Sequence, residues 1–283
     1  MKKQIVAAVS LVIAGMVAGC GSSSTTPSAT TSIAGKVADG YLEKATVFLD
    51  KNGNYRLDSG EPSAVTDANG SYTLTVDPAD VGDFPIVAMA IRGITIDRDN
   101  PAGPIASSYL LSIPKESVSG TVSSNFITPF STQIREMMET GNYTDMQQAM
   151  EELRASLGMP AGTNMLGDYI AGQNQTMHTA AQNMATLMGG QMSQLYGTTG
   201  TTDIDVNRYR GMMGTIFSNI SSIKGSDAQA SMTDLMGSMT ATLGDITPGM
   251  PFTNMSASFR GGMGGGGMQG STMGGASMMG GGR

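Results

Sequence analysis

The spacing of apolar residues changes once along the chain, near residue 128. Before that point they recur at every second position or in short unbroken runs, as strands require; beyond it they recur every three or four residues, as helices require. Strands are predicted over 32–38, 45–49, 64–66, 71–76, 85–92, 94–96 and 109–113, with Asp39-Gly40 and Asp67-Ala68-Asn69-Gly70 as turns. In 71–76 the alternation puts Tyr72, Leu74 and Val76 on one face. The run 85–92 is apolar almost throughout, as expected of a strand covered on both faces, and 94–96 is expected to pair with it after the break at Gly93.

From Thr128, a cap followed by Pro129 at the first helical position, a helix is predicted that carries Phe130, Ile134, Met137 and Met138 and stops at Gly141. Thr144 with Gln147 predicts a capping box for a second helix, which presents Met146, Met150, Leu153 and Leu157 and ends at Gly158. A third helix is expected near 176–196, a fourth near 204–224 with Asp203 as its cap, and a fifth opening with Ser226 and Gln229. Five amphipathic helices with mostly short connections predict an all-α unit. The fold class expected is therefore α+β multidomain: a small N-terminal Greek-key β-sandwich, a Met-rich helical domain and a disordered Gly/Met-rich tail.

The amino terminus belongs to neither part. Met1-Lys2-Lys3 precedes an apolar run over 5–18 that is too short to span about 30 Å of hydrocarbon, and Val17-Ala18-Gly19-Cys20 follows. These four residues resemble the bacterial lipobox, which implies cleavage before Cys20 and lipid on its sulfur. By the same resemblance, Gly21 after the cysteine implies the outer membrane. Residues 1–19 are expected to be the signal peptide and 20–31, polar and uncharged, a flexible tether; 32–114 the β-module, 115–246 the helical domain and 247–283 the tail. Cys20 is the single cysteine, so the chain has no internal disulfide. Removal of Lys2 and Lys3 lowers the basic residues from 16 to 14 against 23 acidic ones, a net charge of about −9. With no Lys/Arg cluster and no aromatic platform flanked by basic residues, nucleic acid is not an expected partner.

The stretch with recognisable chemistry is residues 50–61, D-K-N-G-N-Y-R-L-D-S-G-E. A hard divalent cation takes six to eight oxygens at about 2.3–2.6 Å, which a twelve-residue loop supplies from positions 1, 3, 5, 7, 9 and 12. Here those positions are Asp50, Asn52, Asn54, Arg56 through its carbonyl, Asp58 and Glu61. Position 6, where the backbone turns sharply and glycine is usual, is Tyr55. Strands rather than helices are predicted on both sides, which excludes a true EF-hand. The runs G-K-V-A-D-G-Y-L, A-T-V-F-L-D, D-S-G-E-P and T-D-A-N-G-S-Y-T-L, within roughly 32–114, resemble the carboxypeptidase-regulatory-like and adhesin B-type modules of bacterial surface proteins. That resemblance implies a Greek-key sandwich with calcium between strands, held by Asp50, Asn52, Asn54, Asp58 and Glu61. The alternative is a solvated turn rich in Asn and Asp. A second acidic turn, Asp97-Arg98-Asp99-Asn100-Pro101, is too short for a complete metal loop and reads as surface.

Composition adds one further metal. The chain has 25 Met, no Trp and 7 Phe, so thioethers replace the usual large core residues. The helical methionines share stripes with Leu and Ile and read as core. Those of the tail, Met263, Met268, Met273, Met278 and Met279, have no apolar period around them and could serve Cu(I), a soft ion that thioethers suit. Catalysis finds no parts. The single His178 has no Cys partner, H-E-x-x-H or G-x-S-x-G to join, and is expected at the surface. These readings point to a non-enzymatic, calcium-stabilised envelope lipoprotein that binds an envelope or extracellular protein or glycan, or alternatively to a Cu(I)-handling protein.

Overall fold

The structure, a computed structural model, describes residues 29–120, 125–196 and 203–245, and it is a mixed α/β protein. Among these residues nine strands come first: β1 (Thr31–Val37), β2 (Leu42–Glu43), β3 (Thr46–Leu49), β4 (Ser63–Val65), β5 (Ser71–Val76), β6 (Ile86–Ala90), β7 (Ile96–Asp97), β8 (Tyr109–Ile113) and β9 (Phe126–Ile127). Six helices follow: α1 (Pro129–Glu139), α2 (Met146–Leu157), α3 (Gln175–Leu195), α4 (Val206–Ser218), α5 (Ile220–Ile223) and α6 (Gln229–Asp245). One sheet has the order β5-β1-β9, a second β4-β3-β6-β8, and β2 pairs with β7 alone. β1 runs antiparallel to β5, from Thr31 opposite Val76 to Lys36 opposite Ser71, and parallel to β9.

β6 lies between β3 and β8 in its sheet, and four of its five residues are buried. It does not pair with the residues after Gly93. Gly93 takes a positive φ of 75°, the chain turns, Ile94 is left 53% exposed, and Ile96 pairs with Glu43 instead. The acidic turn that follows is not simply surface: Asp99 Oδ2 lies 2.6 Å from His178 Nε2 and accepts from Gln182 Nε2 at 2.8 Å, which ties the turn to α3. His178 is accordingly mostly covered.

Local chemistry corrects two expected helix starts and one expected helix length. α1 opens as expected, with a reciprocal pair in which Ser131 N donates to Thr128 Oγ1 and Thr128 N to Ser131 Oγ. α2 is capped by Asp145, whose side chain accepts from Gln147 N, and not by Thr144. α4 is capped by Asp205, which accepts from the N–H groups of Asn207 and Arg208, while Asp203 pairs with Arg56. The helix expected to continue from α4 breaks at Asn219, φ −112°. There Thr215, Ser218 and Asn219 side chains all donate to carbonyls four residues back and compete with the helical ladder.

Across residue 114, where strands give way to helices, the packing is continuous, and one apolar core contains residues of both kinds. Ser112 on β8 donates its N–H to Thr132 Oγ1 on α1, Tyr209 of α4 donates to Leu110 O, and Tyr41 donates to Asp168 at 2.8 Å. α1 is therefore enclosed by β8 and the neighbouring helices, and every residue of it from Pro129 to Met137 is buried. The helical methionines, among them Met177, Met184, Met188, Met212, Met213 and Met239, fill the core beside Leu and Ile. Among the described residues no helix is long and apolar enough to cross a membrane.

Candidate functional site

Residues 50–61 connect β3 to β4, and their ends are pinned: Leu49 N donates to Pro62 O and Asp50 N to Pro85 O, both at 3.0 Å. Between these points the backbone curls around the side chain of Asp50. Its Oδ1 accepts from Gly53 N at 2.9 Å and Asn54 N at 3.1 Å, and its Oδ2 from Tyr55 N at 3.3 Å. Tyr55 has a φ of 61°, the left-handed conformation that position 6 of a calcium loop requires. At the far end Glu61 closes the ring, accepting from Lys51 N at 2.8 Å and Asp58 N at 2.9 Å.

The side chains at positions 3, 5 and 9 converge. Asn52 and Asn54 both direct an amide NH2 to Asp58 Oδ2, at 2.8 and 2.7 Å, and these two bonds hold the Asp58 carboxyl below the usual carboxylate range. In this conformation the loop's carboxylate oxygens accept N–H groups, and no three His, Cys, Asp or Glu side chains among the described residues are grouped to hold a metal. The donor set nevertheless fits a hard cation. Rotating the two amides so that oxygen replaces nitrogen toward Asp58 brings neutral and charged oxygens to one point, with the backbone already turned as such loops need. Arg56 must also yield, because its Nε lies 3.7 Å from Asp58 Oδ1 while its Nη1 holds Asp203 at 2.5 Å.

Tyr55 points inward, and this explains why glycine is absent at position 6. Its ring is buried beneath the Arg135 guanidinium, 4.1 Å from the ring centre, and tilts at 45° against Tyr209. Its hydroxyl donates to Glu136 Oε1. A non-glycine residue in the left-handed region costs about 1–2 kcal/mol, whereas burying an aromatic ring of about 150–250 Å² contributes up to about 4–6 kcal/mol. Burial wins.

Around Tyr55 lies a network that joins the loop to α1 and α4. Asp50, 0% exposed, accepts from Arg135 Nη2 at 3.2 Å, and Arg135, 1% exposed, reaches Glu139 at 3.5 Å. Arg210 donates to Glu136 at 3.3 Å and to Glu139 at 2.9 Å. Burial pushes the Glu136 carboxyl up, against the pull of Arg135, the Tyr55 hydroxyl and Arg210. Burial also raises Tyr55 well above the ordinary phenol value, so its hydroxyl stays a donor. Burial disfavours the charge on Arg135, but the face of the Tyr55 ring and the carboxyl groups of Glu136, Asp50 and Glu139 around it outweigh that and keep the guanidinium charged.

No family model, curated protein or solved structure matches the chain. The structure brings the side chains of Asn52, Asn54 and Asp58 together, leaves Asp50 and Glu61 bonded to backbone N–H groups of the same loop, and adds Arg135, Glu136, Glu139, Arg210 and Tyr209, which the apolar periodicity of the helices did not mark. The signal that could have found them is Tyr55 itself: an aromatic at a glycine position must have a burial site that outweighs its strain. Cys20, the tether up to residue 28 and the methionines expected to serve Cu(I) lie outside the described residues.

Proposed function

We propose that the chain is a non-enzymatic lipoprotein of the cell envelope, anchored through lipid on Cys20 with the outer membrane as its expected site. Its β part, residues 32–114, acts as a small Greek-key sandwich stabilised by calcium, and the helical part is the surface for an envelope or extracellular protein or glycan. The observation that carries the calcium reading is the path of the loop: Tyr55 at φ 61°, with Asn52, Asn54 and Asp58 converging within the ring that Asp50 and Glu61 close. Asp50, Asn52, Asn54, Asp58, Glu61 and the Arg56 carbonyl would hold the ion, which supplies positive charge to an acidic loop. Asp50 and Tyr55 then connect the loop to α1 through Arg135 and Glu136.

The test is melting of the full chain with calcium and with chelator, for wild type and Glu61→Gln. An ion that binds only the folded loop stabilises by about 2.7 kcal/mol at a hundredfold excess over its dissociation constant. Glu61→Gln should lose most of that gain. Equal melting temperatures in all four samples would remove calcium from the reading, and the envelope location would then rest on Cys20 alone.

A further inference from the structure

An open cavity of about 470 Å³ lies beside residues 50–61, enclosed by that loop, β6, β8 and the end of α3. Leu57, Met89, Leu110, Met192, Tyr196 and Ile204 line it. Solvent reaches its walls: Tyr196 is 38% exposed, and Leu57, Met89 and Ile204 are half-buried. Among the described residues its one charged lining group is Arg56, already paired with Asp203 at 2.5 Å. Walls of this kind take up apolar surface, and the thioethers of Met89 and Met192 with the ring of Tyr196 favour an aromatic group.

The course of α6 shows which part of the chain can reach this cavity. Asn183 on α3 donates its amide to the carbonyls of Ile223 and Gly225, which precede α6. Gln191, about two turns further along α3, donates to Met236 O at 3.0 Å and Thr240 Oγ1 at 2.9 Å. α6 therefore runs in the same direction as α3. Its last turn is still packed, with Leu243 1% exposed, and leads to the end of α3 that carries Met192 and Tyr196. Met192 lies about 100° around α3 from Gln191, so the cavity opens on the face next to the one that α6 covers.

Residues 246–259, I-T-P-G-M-P-F-T-N-M-S-A-S-F, continue from α6 and lie outside the described residues. They carry Ile246, Met250, Phe252, Met255 and Phe259 and no charge. Pro248 and Pro251 favour an extended path. An extended chain from Asp245 to Phe252 reaches up to about 23 Å, roughly twice the 10–12 Å thickness of a helix. Residues 197–202, between Tyr196 and Asp203, read G-T-T-G-T-T and offer no large apolar side chain. From this arrangement we infer that the segment after α6 folds back across the end of α3 and seats the Phe252 ring in the cavity. The occupant is thus part of this chain, and the Gly/Met-rich residues that follow it leave the molecule beside the loop of residues 50–61.

The chain has no tryptophan, so Phe252→Trp in the full chain supplies a single fluorescent reporter. Its emission should be blue-shifted, and acrylamide should quench it several-fold less than it quenches the same protein unfolded in urea. Tyr196→Glu, at the exposed rim, sets a charge against the ring; combined with Phe252→Trp it should return quenching close to the unfolded level. Ile204→Glu, on the same cavity, serves if Tyr196→Glu does not fold. An indole quenched as freely in the folded protein as in urea would overturn the inference and leave the cavity to residues 197–202 or to a molecule from outside. Protection that persists with either glutamate in a folded variant would seat the ring elsewhere. Protection lost on dilution would assign it to the cavity of a second copy. Either of these results also overturns the inference.

Discussion

Replacing Arg135 by methionine isolates the contribution of the buried network. Methionine keeps an unbranched side chain of similar length over the Tyr55 ring, so what is lost is the guanidinium: its bond to Asp50 at 3.2 Å, its longer contact with Glu139 and its charge over the aromatic face. Asp50 is left fully buried with only loop N–H groups as partners. Breaking a buried ion pair from one side costs about 3–5 kcal/mol, mostly the desolvation of the charge that remains. For a chain of this size that lowers the melting temperature by roughly 6–20 °C. Arg135→Met, Asp50→Asn and the double variant should be compared by urea and thermal unfolding. Since the neutral amide removes the stranded charge, the double variant should be more stable than the sum of the single losses predicts, with a coupling of about 1–3 kcal/mol. An Arg135→Met protein within about 1 kcal/mol of wild type, or additive losses, would show that Asp50 is satisfied by its backbone donors alone.

Tyr55→Gly removes the strained φ but also the buried ring and its bond to Glu136, so it should destabilise by about 2–4 kcal/mol rather than improve the loop; unchanged or raised melting would mean that the ring packs poorly. Asp39, held up to about 8, keeps its proton in the folded chain where the unfolded chain has lost it, so its contribution to stability falls as pH rises from about 4 to about 8, by at most about 1.4 kcal/mol per unit. Glu136 and Asp97 act in the same direction. Melting at both ends of that range for wild type and Asp39→Asn checks it: the variant should show the shallower slope, and parallel slopes would refute the assignment. Cys20→Ser should move the protein from washed membranes to the soluble fraction, and its persistence there would indicate another anchor.

Strand and helix positions were legible where periodicity and caps agreed, as at β5, β8 and the start of α1, because pattern and local hydrogen bonding there favour the same structure. That residues 50–61 form a loop was legible because Asn, Asp and Gly cluster there between two strand patterns. What the sequence concealed lies where polar groups are buried. Arg135 and Glu136 lie off the apolar stripe of α1, and an isolated amphipathic helix would place them in water; only the enclosure of that helix by sheet, loop and helices turns them inward. Asp39-Gly40 reads equally well as an exposed turn, and nothing local says that Tyr109 and Tyr169, far away in sequence, close over it. The helix break at Asn219 was hidden for a different reason: its three competing side chains are polar residues that a hydrophobic pattern does not weigh.

Tyr55 is the point where these arguments meet. A glycine there would let the loop turn without strain, but the loop would then hold α1 through the Asp50–Arg135 pair alone, beside its Arg56–Asp203 contact ahead of α4. With tyrosine, the residue that sets the turn also fills the space under Arg135 and donates to Glu136, so the backbone of the loop cannot relax without opening a buried charged network. The converse also holds. A shift of α1 moves Arg135 and Glu136 together, and both lie against residues of the loop. The loop is therefore a structural support of α1, and any ligand that fixes Asp50 and Tyr55 in place restrains the helix against which α2, α3 and α4 pack.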